Sequence, residues 1–154
     1  MGLEELLSPD AVVASMKARC KRDVLAQLAE KAAELTGEPA EEIRRIIADR
    51  EQLGSTGVGR GVAIPHGKIE GLSRLVGVLA RLDKPVAFES VDDQPVDLVF
   101  LILAPISASA AHLKALAKVS RLFRDEHALA AIRGAKSADA IFAIAIDPAR
   151  PDAA

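Results

Sequence analysis

A histidine set among glycines, in Ile64-Pro65-His66-Gly67, is the arrangement in this sequence best suited to covalent chemistry. Near neutral pH an uncharged imidazole carries one bare nitrogen lone pair and can attack phosphorus. Pro65 holds Ile64 extended, so Val62-Ala63-Ile64 reads as a short strand that presents His66 at its tip. Gly67 removes side-chain bulk beside the ring. Six of the ten glycines lie between residues 54 and 71, which calls for special dihedrals or a close approach of the backbone to something else. Backbone N–H groups of such a loop, or of a helix start, can hold an anion. Phosphoryl transfer depends on positioning and charge stabilisation more than on further covalent chemistry, so few residues suffice.

The two common phosphate-cradling glycine motifs fail on their own spacing. After Gly57 and Gly59 a dinucleotide fingerprint needs its third glycine at 62, and it stands at 61. A P-loop needs four residues between its glycines; Gly61 and Gly67-Lys68 are separated by five, and Ile69 replaces the metal-binding hydroxyl.

The elements that must position His66 can be followed along the chain. Val12, Ala14 and Met16 alternate as a first strand. From Asp23, apolar residues at Val24, Leu25, Leu28, Ala32 and Leu35 recur at helical spacing up to Gly37. Glu38-Pro39 opens a second helix running toward Arg50 and Leu53, with Ile43, Ile46 and Ile47 facing inward. Leu75 to Leu82 reads as a strand, Asp92 to Pro95 as a turn, and Val96 to Leu103 as a central strand. Ser107 or Ser109 caps a helix with core positions Leu113, Leu116, Val119, Leu122 and Phe123. A shorter helix around Leu129 and Ile132 ends at Gly134, and Ser137 caps a last one through Ile141 and Ile144. The expected fold is α/β: a single mixed β-sheet flanked by helices on both faces, in one domain over residues 1–154 with a frayed tail from 147.

Composition narrows the function. Four Phe with no Trp or Tyr argue against stacking on single-stranded nucleic acid. A net charge of −2 with no basic stripe argues against nucleic-acid partners in general. Cys20 is alone, so it can form no internal disulfide, and it is expected to be a small buried or half-buried residue in a reducing compartment. The N-terminus lacks the basic region of a signal peptide. The longest apolar run, Leu98 to Ile106, is far below the roughly 20 residues of a membrane span. A soluble, cytoplasmic protein without direct membrane insertion is expected. Asp92, Asp93 and Asp97 have no His or Cys cluster beside them, so neither a metal nor another cofactor is expected. His127 reads as a surface residue.

Taken together, Gly54-Ser-Thr-Gly-Val-Gly-Arg-Gly-Val-Ala-Ile-Pro-His66 closely resembles the active-site signature of the IIA proteins of the bacterial phosphoenolpyruvate-dependent phosphotransferase system. The likeness is to the fructose–mannitol and nitrogen-regulatory branch, and it covers nearly the whole chain. Arg50 matches the family's active-site arginine, Gln94-Pro95-Val96-Asp97-Leu98 leads into its central strand, and His112-Leu113 at a helix start matches its second histidine. The resemblance implies that His66 is phosphorylated through Nε2 by phosphorylated HPr or its nitrogen-branch relative. It implies further that His112 bonds the phosphoryl group or orients the ring, and that Arg50 offsets the added charge. Ser55, Thr56 and Gly67 would help to bind the phosphoryl group. Arg60 stands where an asparagine is common in relatives, and is expected to point into solvent.

Two roles of different class fit these residues. In one, the phosphorylation state of a nitrogen-type IIA regulates target proteins; in the other, a metabolic IIA relays phosphoryl to the IIB part of a fructose- or mannitol-type transporter. The absence of an attached IIB or IIC region or membrane span favours the regulator. A non-catalytic α/β binding module, with the glycine loop as a tight turn only, is the third alternative.

Overall fold

The computed structural model describes residues 2–147; of the tail expected to fray, all but Asp147 lies outside them. Strand β1 (Val12–Met16) leads to helices α1 (Lys21–Thr36) and α2 (Ala40–Gln52). The glycine-rich segment follows as three short strands, β2 (Gly57–Gly59), β3 (Val62–Ala63) and β4 (His66–Ile69). Two long strands, β5 (Val76–Val86) and β6 (Val96–Pro105), precede α3 (Ser109–Arg124), α4 (Glu126–Gly134) and α5 (Ala138–Ile146).

The six strands make one mixed sheet in the order β1-β5-β6-β3-β2, with β4 also paired to β6. The near-continuous apolar run of β6 makes it the centre: Leu98 to Ala104 are buried on both faces, as expected of a strand covered by helices above and below. It runs antiparallel to β5 on one side and parallel to β3 and β4 on the other. Alternating side chains divide the core in two. Leu98, Phe100 and Ile102 pack toward α3, α4 and α5, whereas Val99, Leu101 and Leu103 pack toward α1 and α2. The expected α/β fold, a mixed sheet between helices, is present.

Several local expectations change. His66 is not at a strand tip: β3 breaks at Ile64-Pro65 and the chain re-enters the sheet, so that His66 opens β4 opposite Ile102. Gly57-Val-Gly59 is itself a strand, forming a tight hairpin with β3 through Gly59, Arg60 and Gly61, all at positive φ. Arg60 has φ +60 and is exposed. That is the left-handed region that asparagine tolerates better than most side chains, and asparagine is the residue that the resemblance leads one to expect here. In α3 the N-cap is Ala108, without a side-chain bond, rather than a serine. The inward stripe of α3 starts one residue earlier than expected: His112 is 7% exposed and Leu113 is 68% exposed. Helical periodicity fixes the width of an apolar stripe better than its edge, and here the edge position is filled by an imidazole. Cys20 is exposed, because it stands at the N-cap of α1, where the chain turns in from the surface.

Candidate functional site

Strand β4 sets the site. Residues two apart on a strand share a face, so His66 and Lys68 lie together on the side of α3, while Gly67 and Ile69 face α2. A Cβ on Gly67 would come within 2.7 Å of Ile46 Cγ2. Gly67 therefore lets α2 pack closely on β4, a role distinct from the phosphoryl contact expected of it.

The His66 ring is held at both nitrogens. Nδ1 lies 2.9 Å from the carbonyl oxygen of Ile64. A carbonyl only accepts, so Nδ1 carries the proton and Nε2 keeps its lone pair. Toward that lone pair Arg50 Nε donates at 3.3 Å, while Arg50 Nη1 donates to the carbonyl of Gly54 at 2.9 Å. Arg50 comes from the last turn of α2. Its fork thus bridges the glycine loop and His66 Nε2.

From α3, His112 meets His66 edge to face, with ring centroids 5.4 Å apart and planes 76° apart. His112 Nε2 is buried and has no hydrogen-bond partner among the described residues, an unusual state for a polar atom. Burial pushes the His112 imidazolium below its ordinary value of 6.5, and the nearby His66 and Lys68 push the same way. His112 is therefore uncharged at neutral pH. Lys68 Nζ donates to Ser109 Oγ at 2.7 Å, tying β4 to the first turn of α3.

The three residues expected to do chemistry, His66, His112 and Arg50, are thus brought together. Ser55 and Thr56 adjoin them in sequence, but their hydroxyls are engaged elsewhere. Ser55 Oγ donates to the carbonyl of Phe88 and accepts from Gly57 N–H. Thr56 is buried, and both its hydroxyl and its N–H are bonded to the Glu51 carboxylate. They organise the loop instead of offering free donors. His127 is exposed, as expected. Asp92 and Asp97 serve the hairpin: Asp92 accepts from Arg60 N–H, and Asp97 pairs with Arg133, which also donates to the Arg60 carbonyl. Neither Lys68 nor Ser109 is among the residues expected at the site; Ser109 is expected only as one of two possible caps of α3. The period of two from His66 was the available signal for Lys68; nothing local marked Ser109 as its partner.

A mixed α/β sheet with a histidine on an edge strand, an arginine fork at its Nε2 and a second, uncharged histidine beside it is an arrangement that suits histidine-centred group transfer. Residues 5–147 match the family model for the phosphoenolpyruvate-dependent sugar phosphotransferase system, EIIA 2, and the chain belongs to that family. A nitrogen regulatory protein of Bradyrhizobium diazoefficiens is 48% identical over 150 residues, covering 97% of this chain and 98% of the relative. The nitrogen regulatory protein of Escherichia coli K12 is 35% identical over 146 residues, with 94% and 90% covered. Among solved structures, the nitrogen regulatory protein IIA-Ntr of Neisseria meningitidis superposes with a TM-score of 0.88 at 30% identity, covering 92% of this chain and 97% of that one. Among the described residues no helix is long and apolar enough to cross a membrane.

Proposed function

We propose that the protein accepts a phosphoryl group on His66 Nε2 from a phosphorylated HPr-like carrier and acts as a nitrogen-type regulator through its phosphorylation state. The observation that carries this is the 2.9 Å approach of His66 Nδ1 to the Ile64 carbonyl oxygen: an acceptor there favours the proton on Nδ1, which supports Nε2 as the nucleophile. In the transfer, the donor's N–P bond breaks as the Nε2–P bond forms, and the donor imidazole leaves with its own ring proton. His66 keeps its Nδ1 proton and becomes an N-phosphoryl imidazolium. Arg50 turns its planar donors from the lone pair to the phosphoryl oxygens. His112, with Nε2 unsatisfied, gains a partner in the same group. Lys68 adds a second cation on the strand face of His66.

Regulation is favoured over relay to a transporter IIB because the similarity to nitrogen regulatory proteins runs end to end. The recipient on this reading is a target protein whose binding changes when a dianion is added to the surface; in the alternative it is a IIB domain. The test is intact-mass analysis after incubation with phosphoenolpyruvate, the general phosphotransferase enzyme and an HPr-like carrier. One acid-labile phosphoryl group, absent from His66→Ala, is expected. A folded sample that gains nothing from either HPr or its nitrogen-branch relative contradicts the proposal.

A further inference from the structure

A buried carboxylate behind the glycine loop is tied to both reactive side chains. Glu51 follows Arg50 in α2, and its side chain is only 4% exposed. One carboxylate accepts from Thr56 N–H, Thr56 Oγ1 and, at 2.8 Å, Lys21 Nζ at the start of α1. Lys21 Nζ also lies 4.8 Å from the centre of the Phe88 ring and 3.5 Å from the exposed Glu89.

Two routes lead on from Thr56. Its carbonyl accepts from Ile64 N–H at 3.0 Å, and the Ile64 carbonyl is the group that holds the His66 Nδ1 proton. Two residues before Thr56, the Gly54 carbonyl holds Arg50 Nη1 at 2.9 Å, and Gly54 N–H returns to the Glu51 carbonyl at 3.2 Å. Fixing Thr56 thus fixes the acceptor that selects the His66 tautomer and the acceptor that aims the Arg50 fork. A buried ion pair contributes little net stability, since desolvation offsets its Coulomb gain, whereas breaking one partner away costs much more. Its benefit is geometric.

Building on the proposed phosphoryl transfer to His66, we infer that Glu51, clamped by Lys21 and bonded to Thr56, is a positioning residue that holds His66 in its Nδ1–H tautomer and directs Arg50 at Nε2. Glu51 touches neither the ring nor the reacting phosphorus. It acts through the loop. Without the clamp the loop relaxes, Ile64 no longer selects the proton position, and the ring drifts toward the Nε2–H form that free histidine prefers, which has no lone pair at Nε2.

The experiment compares wild type, Glu51→Gln and Thr56→Val by two readouts. Long-range proton–nitrogen spectra of the imidazoles report the His66 tautomer directly. Incubation with phosphoramidate, followed by intact mass, reports reactivity without a docking protein. In that reaction the P–N bond breaks, ammonia leaves, and the Nε2–P bond forms. Both variants are expected to show a mixed tautomer and labelling about tenfold slower at unchanged phosphoramidate affinity, a loss of about 1.4 kcal/mol in barrier terms. Thr56→Ser, which keeps the hydroxyl, restores the wild-type tautomer. Should Glu51→Gln fail to fold, Thr56→Val and Thr56→Ser decide between them. Variants that melt earlier yet keep a pure Nδ1–H signature and the wild-type labelling rate overturn the inference, because a merely structural clamp would do that. Wild type that is not labelled at His66 counts against the carrier function instead, and the tautomer spectra then judge the clamp alone.

Discussion

His112 sits where desolvation opposes its own charge, and its two nearest basic neighbours oppose it as well. Its folded pKa lies below the unfolded value near 6.5. The unfolded chain therefore binds more protons at this position than the folded one as pH falls. The stability contributed by neutral His112 is fully present above about pH 6.5 and is lost as the pH drops through its lowered folded value. Urea midpoints of wild type against His112→Gln from pH 7.5 to 5 should show the wild type losing more stability; parallel curves would contradict this. Phosphorylation of His66 places a dianion beside the ring and should raise the His112 pKa, which imidazole titration of the phosphorylated and bare forms can follow. At Arg50, a lysine would keep the charge and lose the planar fork. Losing a charge-assisted bond of about 1.5–3 kcal/mol should slow labelling of a folded Arg50→Lys variant by roughly tenfold to a hundredfold. Labelling within twofold of wild type would remove the fork from the mechanism.

Between elements, the contact that places His66 is the packing of α2 on β4. It rests on Gly67, whose missing Cβ is the space filled by Ile46. Gly67→Ala overpacks this contact and is expected to cost about 1–3 kcal/mol in chemical denaturation, while pushing β4 away from the α2 turn that carries Arg50. Helix α3 supplies the opposite wall. Its inward residues are His112, Ala115, Val119, Leu122 and Phe123. Leu113 lies outside that stripe, so Leu113→Gln should change stability by less than about 0.5 kcal/mol, whereas Val119→Ala should cost about 1–3 kcal/mol. Equal costs for the two would mean that the helix is rotated from its described face. The same rotation explains why His112 is inside: an imidazole at the stripe's edge is carried inward by the residues that follow it.

For the molecule as a whole, the sheet's two faces are separate cores joined through β6. Phe100 lies at the junction of strand and helix on the His112 side, edge to face with Phe123 at 6.4 Å. Phe100→Ala removes both that pair and the support for α3. It is expected to destabilise by about 3–5 kcal/mol, a large part of the roughly 5–15 kcal/mol typical of a domain, as read by guanidinium denaturation. On the other face α1 and α2 hold Arg50 and the Lys21–Glu51 pair. The site therefore draws on both cores at once, with His66 on the edge strand between them.

Local signals settled much of this in advance. The apolar run of β6 and the helical periodicities of α1 and α2 report on backbone geometry within a few residues, and those elements formed where expected, whereas around His66 the proline and glycines marked an unusual backbone without its return into the sheet. The family resemblance also grouped Arg50 and His112 with His66, and the three do come together. What the sequence could not supply was long-range pairing. The order of the strands, the return of the chain into the sheet at His66, the Lys68–Ser109 bond and the Glu51–Thr56 link join residues whose proximity depends on sheet register and helix rotation. Register changes by one residue turn a side chain from core to solvent, and helix rotation does the same at a stripe's edge. Thus His112 is buried and Leu113 exposed because packing against β6 chose the angle, which the spacing of apolar residues left open.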